Sequence, residues 1–431
     1  MNSYRLRTIV AFAVVFAPAI GAATPMTLEE AVALAERRNA ALAAVRASVA
    51  ASRGELEDVR APLWNNPEIV TENRRRSLAQ PPGPDVQRYD TGIGLSQRFE
   101  LGGQQRARRS AAEAGQRATQ QSIEDVRREI RGEAAQRFIQ VLGLQQRVQM
   151  EEQALELLRR AGELTAKRVK VGEDSRLDGN LAAIEAERGA NQFAVAKEQL
   201  LQARAALAAH LQLDPGAQPE AAGDLDAPAL TYTLNDLLAI AARRPRLQLL
   251  AAREQAAQSR LDLERGNTYP DLTVGLSYSP EKNIDTRDRI ATLSFALPLP
   301  LFRRNATGVG RAQTELDQVR IERQAAERDT QAAVSTLWQR VQSLQQRADR
   351  LQKAVLPALE ENQRLSLKAL QAGEIALSQF LLVRRQVLDG RRDLLDARSE
   401  LRLTCVALEN AAGWPTDLPP LDPGGARGEA Q

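Results

Sequence analysis

Histidine and cysteine are nearly missing from this chain, with one of each in 431 residues. That excludes a histidine-based metal cluster and an internal disulfide. Cys405 stands among Leu403, Val406 and Leu408, the setting of a small buried side chain rather than a reactive thiol. His210, beside Leu211 at an expected helix end, reads as a capping or packing residue. Aromatic residues make up 4% of the chain, a composition that suits long helices packed through thin seams better than a thick globular core.

Charge of one sign is lacking too. The 58 basic side chains are matched by 55 acidic ones, for a net charge of +3, and the signs alternate along helical stretches. No basic block is present to hold nucleic acid. No Gly-rich phosphate loop, Ser-His-Asp order or metal-ligand spacing occurs, so neither enzyme activity nor a cofactor nor a bound metal is expected. Long apolar runs are also missing, since nothing approaches the ~20 residues of a membrane-spanning helix. The one concentrated run, residues 9–20, follows Arg5 and Arg7 and ends in Gly21, Ala22 and Ala23. It predicts a secretory signal over residues 1–23. Thr24 would then come first, and it is not the cysteine that a lipoprotein acylates.

What is present is one unit written twice. Thr27-Leu28-Glu29-Glu30-Ala31-Val32 with Arg37-Arg38 returns as Thr233-Leu234-Asn235-Asp236-Leu237-Leu238 with Arg243-Arg244, 206 residues later. Each unit predicts a helix, two short strands, a very long helix, a tight turn at a glycine, and a returning helix. The domains are therefore a first repeat over 24–213, a surface connector over 214–232, a second repeat over 233–414 and a disordered tail over 415–431.

Each opening helix starts with a Thr cap and acidic residues in the first turn. These helices are expected over 28–61 and 234–267, ending before Pro62 and Pro270. The period then changes from 3.6 to 2. Leu272, Val274, Leu276 and Tyr278 alternate with small polar residues, as do Leu293, Phe295 and Leu297, and in the first repeat Ile93, Leu95, Phe99 and Leu101. A weaker segment spans 68–75, and polar loops are expected at the hairpin tips over 77–88 and 280–288.

About ten residues tilted near 45° is the length of a membrane barrel strand. Four strands cannot close a barrel, and an open edge is not tolerated in lipid. The fold class is thus mainly α with membrane β: a long helical coiled-coil barrel plus a β-barrel to which each of several chains gives four strands. Three chains would give about twelve strands, within the usual range.

Gly102-Gly103 and Pro298-Leu299-Pro300 break the pattern before the long helices, marking a junction between sheet and helices. Those helices are expected over 106–169 and 311–370, each about 90 Å long at 1.5 Å per residue. In the second, Thr330, Val334, Leu337, Val341, Leu344, Ala348, Leu351, Val355 and Ala358 follow the four-three steps of a coiled-coil seam. The first follows the same template with interruptions at Arg137, Glu151 and Gly162. Returning helices over 177–213 and 377–412 are half as long, and each would stack end to end with an opening helix. Gly172 and Gly373 permit the tight turns, because glycine accepts positive φ at little cost.

Together these features resemble the TolC-type outer-membrane efflux family. The resemblance spans nearly all of residues 27–414 and rests on the duplicated order and on the paired turns Val171-Gly172-Glu173 and Ala372-Gly373-Glu374. Within the family, Trp64-Asn65-Asn66-Pro67-Glu68, the stretch from Gln97 to Gln104, and Pro298-Leu299-Pro300-Leu301-Phe302-Arg303-Arg304-Asn305 look most like the cobalt-zinc-cadmium heavy-metal branch. The resemblance implies a homotrimer in outer-membrane lipid with a large periplasmic portion. It also implies two partners, a periplasmic adaptor that docks at the two turns and an inner-membrane pump of the resistance-nodulation-division class. Asp178, with Arg176 nearby, matches a conduit-facing acid at the periplasmic gate. Gln379 stands at the equivalent place in the second repeat, a departure from the acid often found there.

Three rivals remain at this stage. A duct for drugs or for protein secretion would share the architecture. A periplasmic adaptor should carry a lipoyl-like domain of Gly-rich strands and a single hairpin. A soluble coiled-coil scaffold leaves the alternating strands unexplained.

Overall fold

The computed structural model describes residues 25–80, 83–227, 232–282 and 287–413. The expected signal over 1–23 and the tail over 415–431 lie outside the described residues. Both repeats start on the same cap. Thr27 Oγ1 accepts from the Glu30 amide, and the Glu30 carboxylate accepts from the Thr27 amide at 2.8 Å. Thr233 and Asp236 repeat the arrangement at 3.0 Å.

The opening helices are each broken in two. α1 (Leu28–Arg38) gives way to α2 (Ala40–Arg60) at Asn39, which is extended and accepts from the Ala41 amide at 2.9 Å. An Asn side chain that takes a backbone donor starts a new helix at the expense of the old one. After β1 (Glu68–Gln80), β2 (Gly83–Phe99), α3 (Gln104–Lys170) and α4 (Arg176–His210), the second repeat breaks between α5 (Leu234–Ala241) and α6 (Pro245–Gly266). Pro245 has no N–H to continue α5 and instead opens α6 at its first turn. The expected continuous helices over 28–61 and 234–267 are corrected accordingly.

β3 (Leu272–Lys282) and β4 (Arg287–Ala296) complete one antiparallel sheet in the order β1-β2-β3-β4. The first hairpin is longer than expected. Its ladder runs through Ser77↔Gln87 to Gln80↔Gly83, and the second runs through Pro280↔Arg289 to Lys282↔Arg287. Most of the two segments read as polar loops is therefore strand. A ladder is held by backbone groups, so it continues past the point where the apolar face ends.

α3 is a single helix of 67 residues, about 100 Å long. α4 follows its turn end and α1 and α2 follow its sheet end. Where they meet, Ala31, Ala35, Leu207 and Leu211 share one cluster with Ala134, Phe138 and Val141. His210 sits there with Nε2 at 3.1 Å from the Ile130 carbonyl. The second repeat packs α5 on α7 (Ala306–Arg350) and α9 (Leu377–Ala412), with Leu237, Val334, Leu401 and Cys405 in contact. Burial pushes the Cys405 thiol up to about 11.

The second long helix is not continuous. A π-turn at Leu351–Val355 separates α7 from α8 (Leu356–Gln371), one turn before a proline that would otherwise press on the Lys353 carbonyl. The extra residue shifts the seam. Val355 and Ala358, expected inside, are exposed, and Leu356 and Leu359 are half-buried in their place.

The connector is strapped into the core as well. Met26 pairs with Ala221 in parallel, and the Gln145 amide holds Ala221 at 2.8 and 3.1 Å. Ala221 and Leu225 are buried, which corrects the reading of this segment as purely superficial.

One buried charge cluster joins the repeats and accounts for the seam interruption at Glu151. Its carboxylate, 3% exposed, accepts from Arg392 of α9 at 2.7 and 2.9 Å and from Arg147 at 2.9 Å. Arg147 also reaches Asp396 at 3.0 Å. Burial pushes the Glu151 carboxyl up, but the hydrogen bonds and charges of Arg392 and Arg147 outweigh it and hold the group below the ordinary glutamate range. Removing Glu151 leaves two half-buried arginines with only the exposed Asp396 and Asp389 as partners. Glu151→Leu should lower stability by about 3 kcal/mol in thermal unfolding of the detergent-solubilised protein. Because the folded pKa is depressed, the contribution is whole above pH ~4.3 and fades as pH falls through the lower folded value. Glu151→Gln should flatten stability in that acid window and leave the neutral-to-alkaline profile parallel to the parent.

Candidate functional site

The two turns between helices close in the same way. Gly172 has φ +81° and Gly373 φ +74°. The Glu173 amide donates to the Arg168 carbonyl at 2.9 Å and Gly172 to Val169 at 3.2 Å, while Glu374 donates to Ala369 at 2.9 Å and Gly373 to Leu370 at 3.2 Å. This is the double closure of a Schellman turn, in which the glycine takes the left-handed position. Val171, Glu173, Ala372 and Glu374 around the glycines are all exposed.

The turns differ in side-chain support. Arg168 pairs with Asp174 at 3.2 Å and Glu173 at 3.5 Å, contacts the second turn lacks because Ala369 stands in place of the arginine. Asp178 and Gln379 both fall in the first turn of the returning helix. Ser175 caps α4, taking the Asp178 amide at 3.1 Å and donating its hydroxyl to the Asp178 carboxylate at 2.6 Å. Ala376 caps α9 with no side-chain bond. Asp178 therefore holds a helix end, half-buried in the same first turn as the exposed Arg176. Arg168 and Ser175 were not singled out from sequence; the motif Ser-x-x-Asp before a helix was the available signal.

At the other end, the two motifs quoted from the first repeat converge. Gln97 donates to the Asn65 carbonyl at 2.7 Å, and Gln105 donates to the carbonyls of Val59 and Ala61 at 2.8 and 3.0 Å. Arg108 grips Glu100 with two bonds of 2.8 and 3.0 Å and lies 3.9 Å above the Trp64 ring. Gly103 begins α3 with φ +77°, and Asn305 begins α7 with φ +54°. Asn305 also donates to the Glu264 carbonyl at 3.0 Å.

Gly102 meets a residue that sequence reading passed over. A Cβ at Gly102 would lie 2.4 Å from the Gly266 carbonyl oxygen, and one at Gly266 would lie 2.9 Å from that of Gly102. The start of α3 and the end of α6 thus touch through backbone. Pro298 and Pro300 are exposed and lead away from β4 with Leu299, Leu301 and Phe302, which are 69%, 67% and 95% exposed.

Between turns and loops, register sorts the sheet into two faces. Ile69↔Leu95, Ile93↔Tyr278, Leu95↔Leu276, Leu276↔Leu293 and Val274↔Phe295 lie on one side. Leu276, Leu293 and Phe295 there are 61%, 61% and 66% exposed. Gly94↔Ser277, Ser96↔Gly275 and Ser277↔Thr292 lie on the other, a wall of small polar groups. On that polar side Arg76 reaches Glu281 at 2.8 Å and Asp90 at 3.6 Å, crossing three strands. β1 and β4 each keep an unpaired edge.

Among the described residues, no helix is long and apolar enough to cross a membrane, and no group of three His, Cys, Asp or Glu side chains is arranged to hold a metal ion.

The sequence profile described as outer membrane efflux protein matches residues 31–211 and 238–414. The cobalt-zinc-cadmium resistance protein CzcC of Cupriavidus metallidurans is 30% identical over 393 residues, which cover 88% of this chain and 86% of that protein. Among solved structures, CusC aligns with a TM-score of 0.74 at 17% identity, covering 91% of this chain and 93% of its own. The CmeC channel of Campylobacter jejuni aligns with a TM-score of 0.75 at 15% identity, covering 90% and 85%.

Three substitutions separate the needs of the junction. Gly102→Ala should cost about 2–3 kcal/mol in thermal unfolding, because backbone cannot swing aside. Gly103→Ala should cost about 1 kcal/mol for its left-handed φ. Gly103→Asn should recover most of that, since Asn305 already occupies the matching position.

Proposed function

Because the chain belongs to the outer membrane efflux protein family, we propose that it is the exit duct of a tripartite exporter of heavy-metal cations. The observation that carries the membrane part is the sheet: one bare apolar face, one polar face and two open edges. In lipid such a sheet must be closed by other chains. Three copies, four strands each, make a barrel of about twelve. The apolar face then meets outer-membrane lipid, and Gly94, Ser96, Gly275 and Ser277 line a lumen kept wide by small side chains. The helices extend from this barrel into the periplasm.

The duct has no chemistry of its own and works by shape and field. The exposed paired turns Val171-Gly172-Glu173 and Ala372-Gly373-Glu374 support docking of a periplasmic adaptor. The adaptor would link the duct to an inner-membrane pump of the resistance-nodulation-division class. Metal cations are the cargo supported by the relationship to a cobalt-zinc-cadmium resistance protein. They are substrate in transit and need no resident site.

Asp178, with Arg176 and Gln379, is the proposed periplasmic gate. Asp178→Ala should raise the ion conductance of the purified trimer in planar bilayers. Ser175→Ala, which removes the helix cap but keeps the acid, should leave conductance unchanged. Equal conductance in the parent and Asp178→Ala would remove the gate.

The function itself is tested by deletion. A strain lacking this chain should lose tolerance to cobalt, zinc and cadmium several-fold, with recovery on complementation. Unchanged metal tolerance alongside sensitivity to organic drugs would shift the cargo to drugs. A soluble monomer without pore current would sink the duct.

A further inference from the structure

The π-turn at Leu351–Val355 has no counterpart in α3, which is continuous. Above it, the seam of α7 runs through Val341, Leu344, Ala348 and Leu351 in steps of three and four. The next inward residue is Leu356, a step of five, after which Leu359, Gln363, Ser366 and Leu370 resume the rhythm. The Leu356 amide donates to Leu351, five residues back, as a π-turn requires.

A regular helix would have taken the step of four. It would then carry Val355, Ala358, Asn362 and Leu365 inward, all of which are exposed. Set side by side, Leu356-Leu359-Gln363-Ser366 offers two large apolar residues and two polar ones, and Val355-Ala358-Asn362-Leu365 three apolar residues, one of them small, and one polar. The helix therefore has two seams of comparable quality, one residue or about 100° apart. Such near-degeneracy is what makes a packed element bistable.

Two features select the observed seam. Pro357 has no N–H and its ring clashes with a carbonyl four residues back, so it opposes a regular helix through Lys353. Gly390 on α9 accepts Leu359: a Cβ there would lie 2.5 Å from Leu359 Cδ1. An Ala358 side chain would leave that hollow only partly filled.

We propose that the π-turn is a register switch for α8. With the turn present, Leu359 sits on Gly390 and Val355 and Leu365 face outward. With the turn absorbed, α8 rotates about its axis by one residue, Ala358 faces Gly390, and Leu365 is withdrawn. Pro357 biases the switch toward the first state. Rotation of α8 carries the turn at Ala372-Gly373-Glu374 with it, so the orientation of the second hairpin end follows the register.

Cysteine pairs within one chain read the register without reference to what the protein exports. In the full-length protein with Cys405→Ala, Leu359→Cys/Gly390→Cys should close under diamide several-fold more than Ala358→Cys/Gly390→Cys. Adding Pro357→Ala should raise the 358–390 yield and lower the 359–390 yield by several-fold each. Removing Ala354 in the Pro357→Ala background takes out the surplus residue and should return the bias to 359–390, which separates a register change from misfolding. A ratio of the two yields that does not move with Pro357→Ala overturns the proposal. So does a ratio that fails to return when Ala354 is removed.

Discussion

A sheet with a bare apolar face and two unpaired edges governs everything else in this chain. Backbone groups at an open edge must find partners or water, and an apolar face must find something other than water. One chain supplies neither. The same incompleteness continues in the helices, where, outside the cluster at which α1, α3 and α4 meet, Ala, Leu and Val bury themselves in narrow seams between neighbours. A layer built this way can curve into a wall but cannot fold over into a globule, which is why long helices and a small open sheet belong to one design.

The duplication is faithful in backbone and loose in side chains. Both repeats cap their first helix with Thr, start their long helix from a left-handed residue and turn at a glycine with positive φ. The supporting contacts then part ways. Arg168, Asp174 and Ser175 brace the first turn, while Ala369 and Ala376 leave the second to its backbone. The first long helix is straight through, and the second carries a π-turn. Unequal hairpins let the two halves of a repeated chain take different parts at the same end of the molecule.

Much of this was legible in the sequence because the signals were periodic. The change from period 3.6 to period 2, the long four-three seam and the turn glycines each repeat often enough to outweigh local exceptions. The junction motifs around Trp64 and Gly102 were legible as breaks, though not as partners, because contact across 40 residues leaves no local trace. The misses are single-residue events inside regular patterns. Asn39 and Pro245 restart a helix without disturbing its apolar face. The π-turn inserts one residue whose effect shows only downstream, where Leu356 replaces Val355. Gly266 gave no signal, since a glycine near a helix end is ordinary until its neighbour across the junction is known. Asp178 was read as a gate from resemblance, and its bond to Ser175 shows that a capping duty also accounts for an acid at that place.

The backbone contact between Gly102 and Gly266 bears on how stress moves through the molecule. Most helix packing is cushioned by side chains that change rotamer under load. Here carbonyl meets α-carbon with no such cushion, at the level where the first repeat's sheet feeds its long helix and the second repeat's opening column ends. Torque applied to the far end of the helices would reach the strands through this point with little compliance, so the rim of the barrel and the base of the columns behave as one stiff collar.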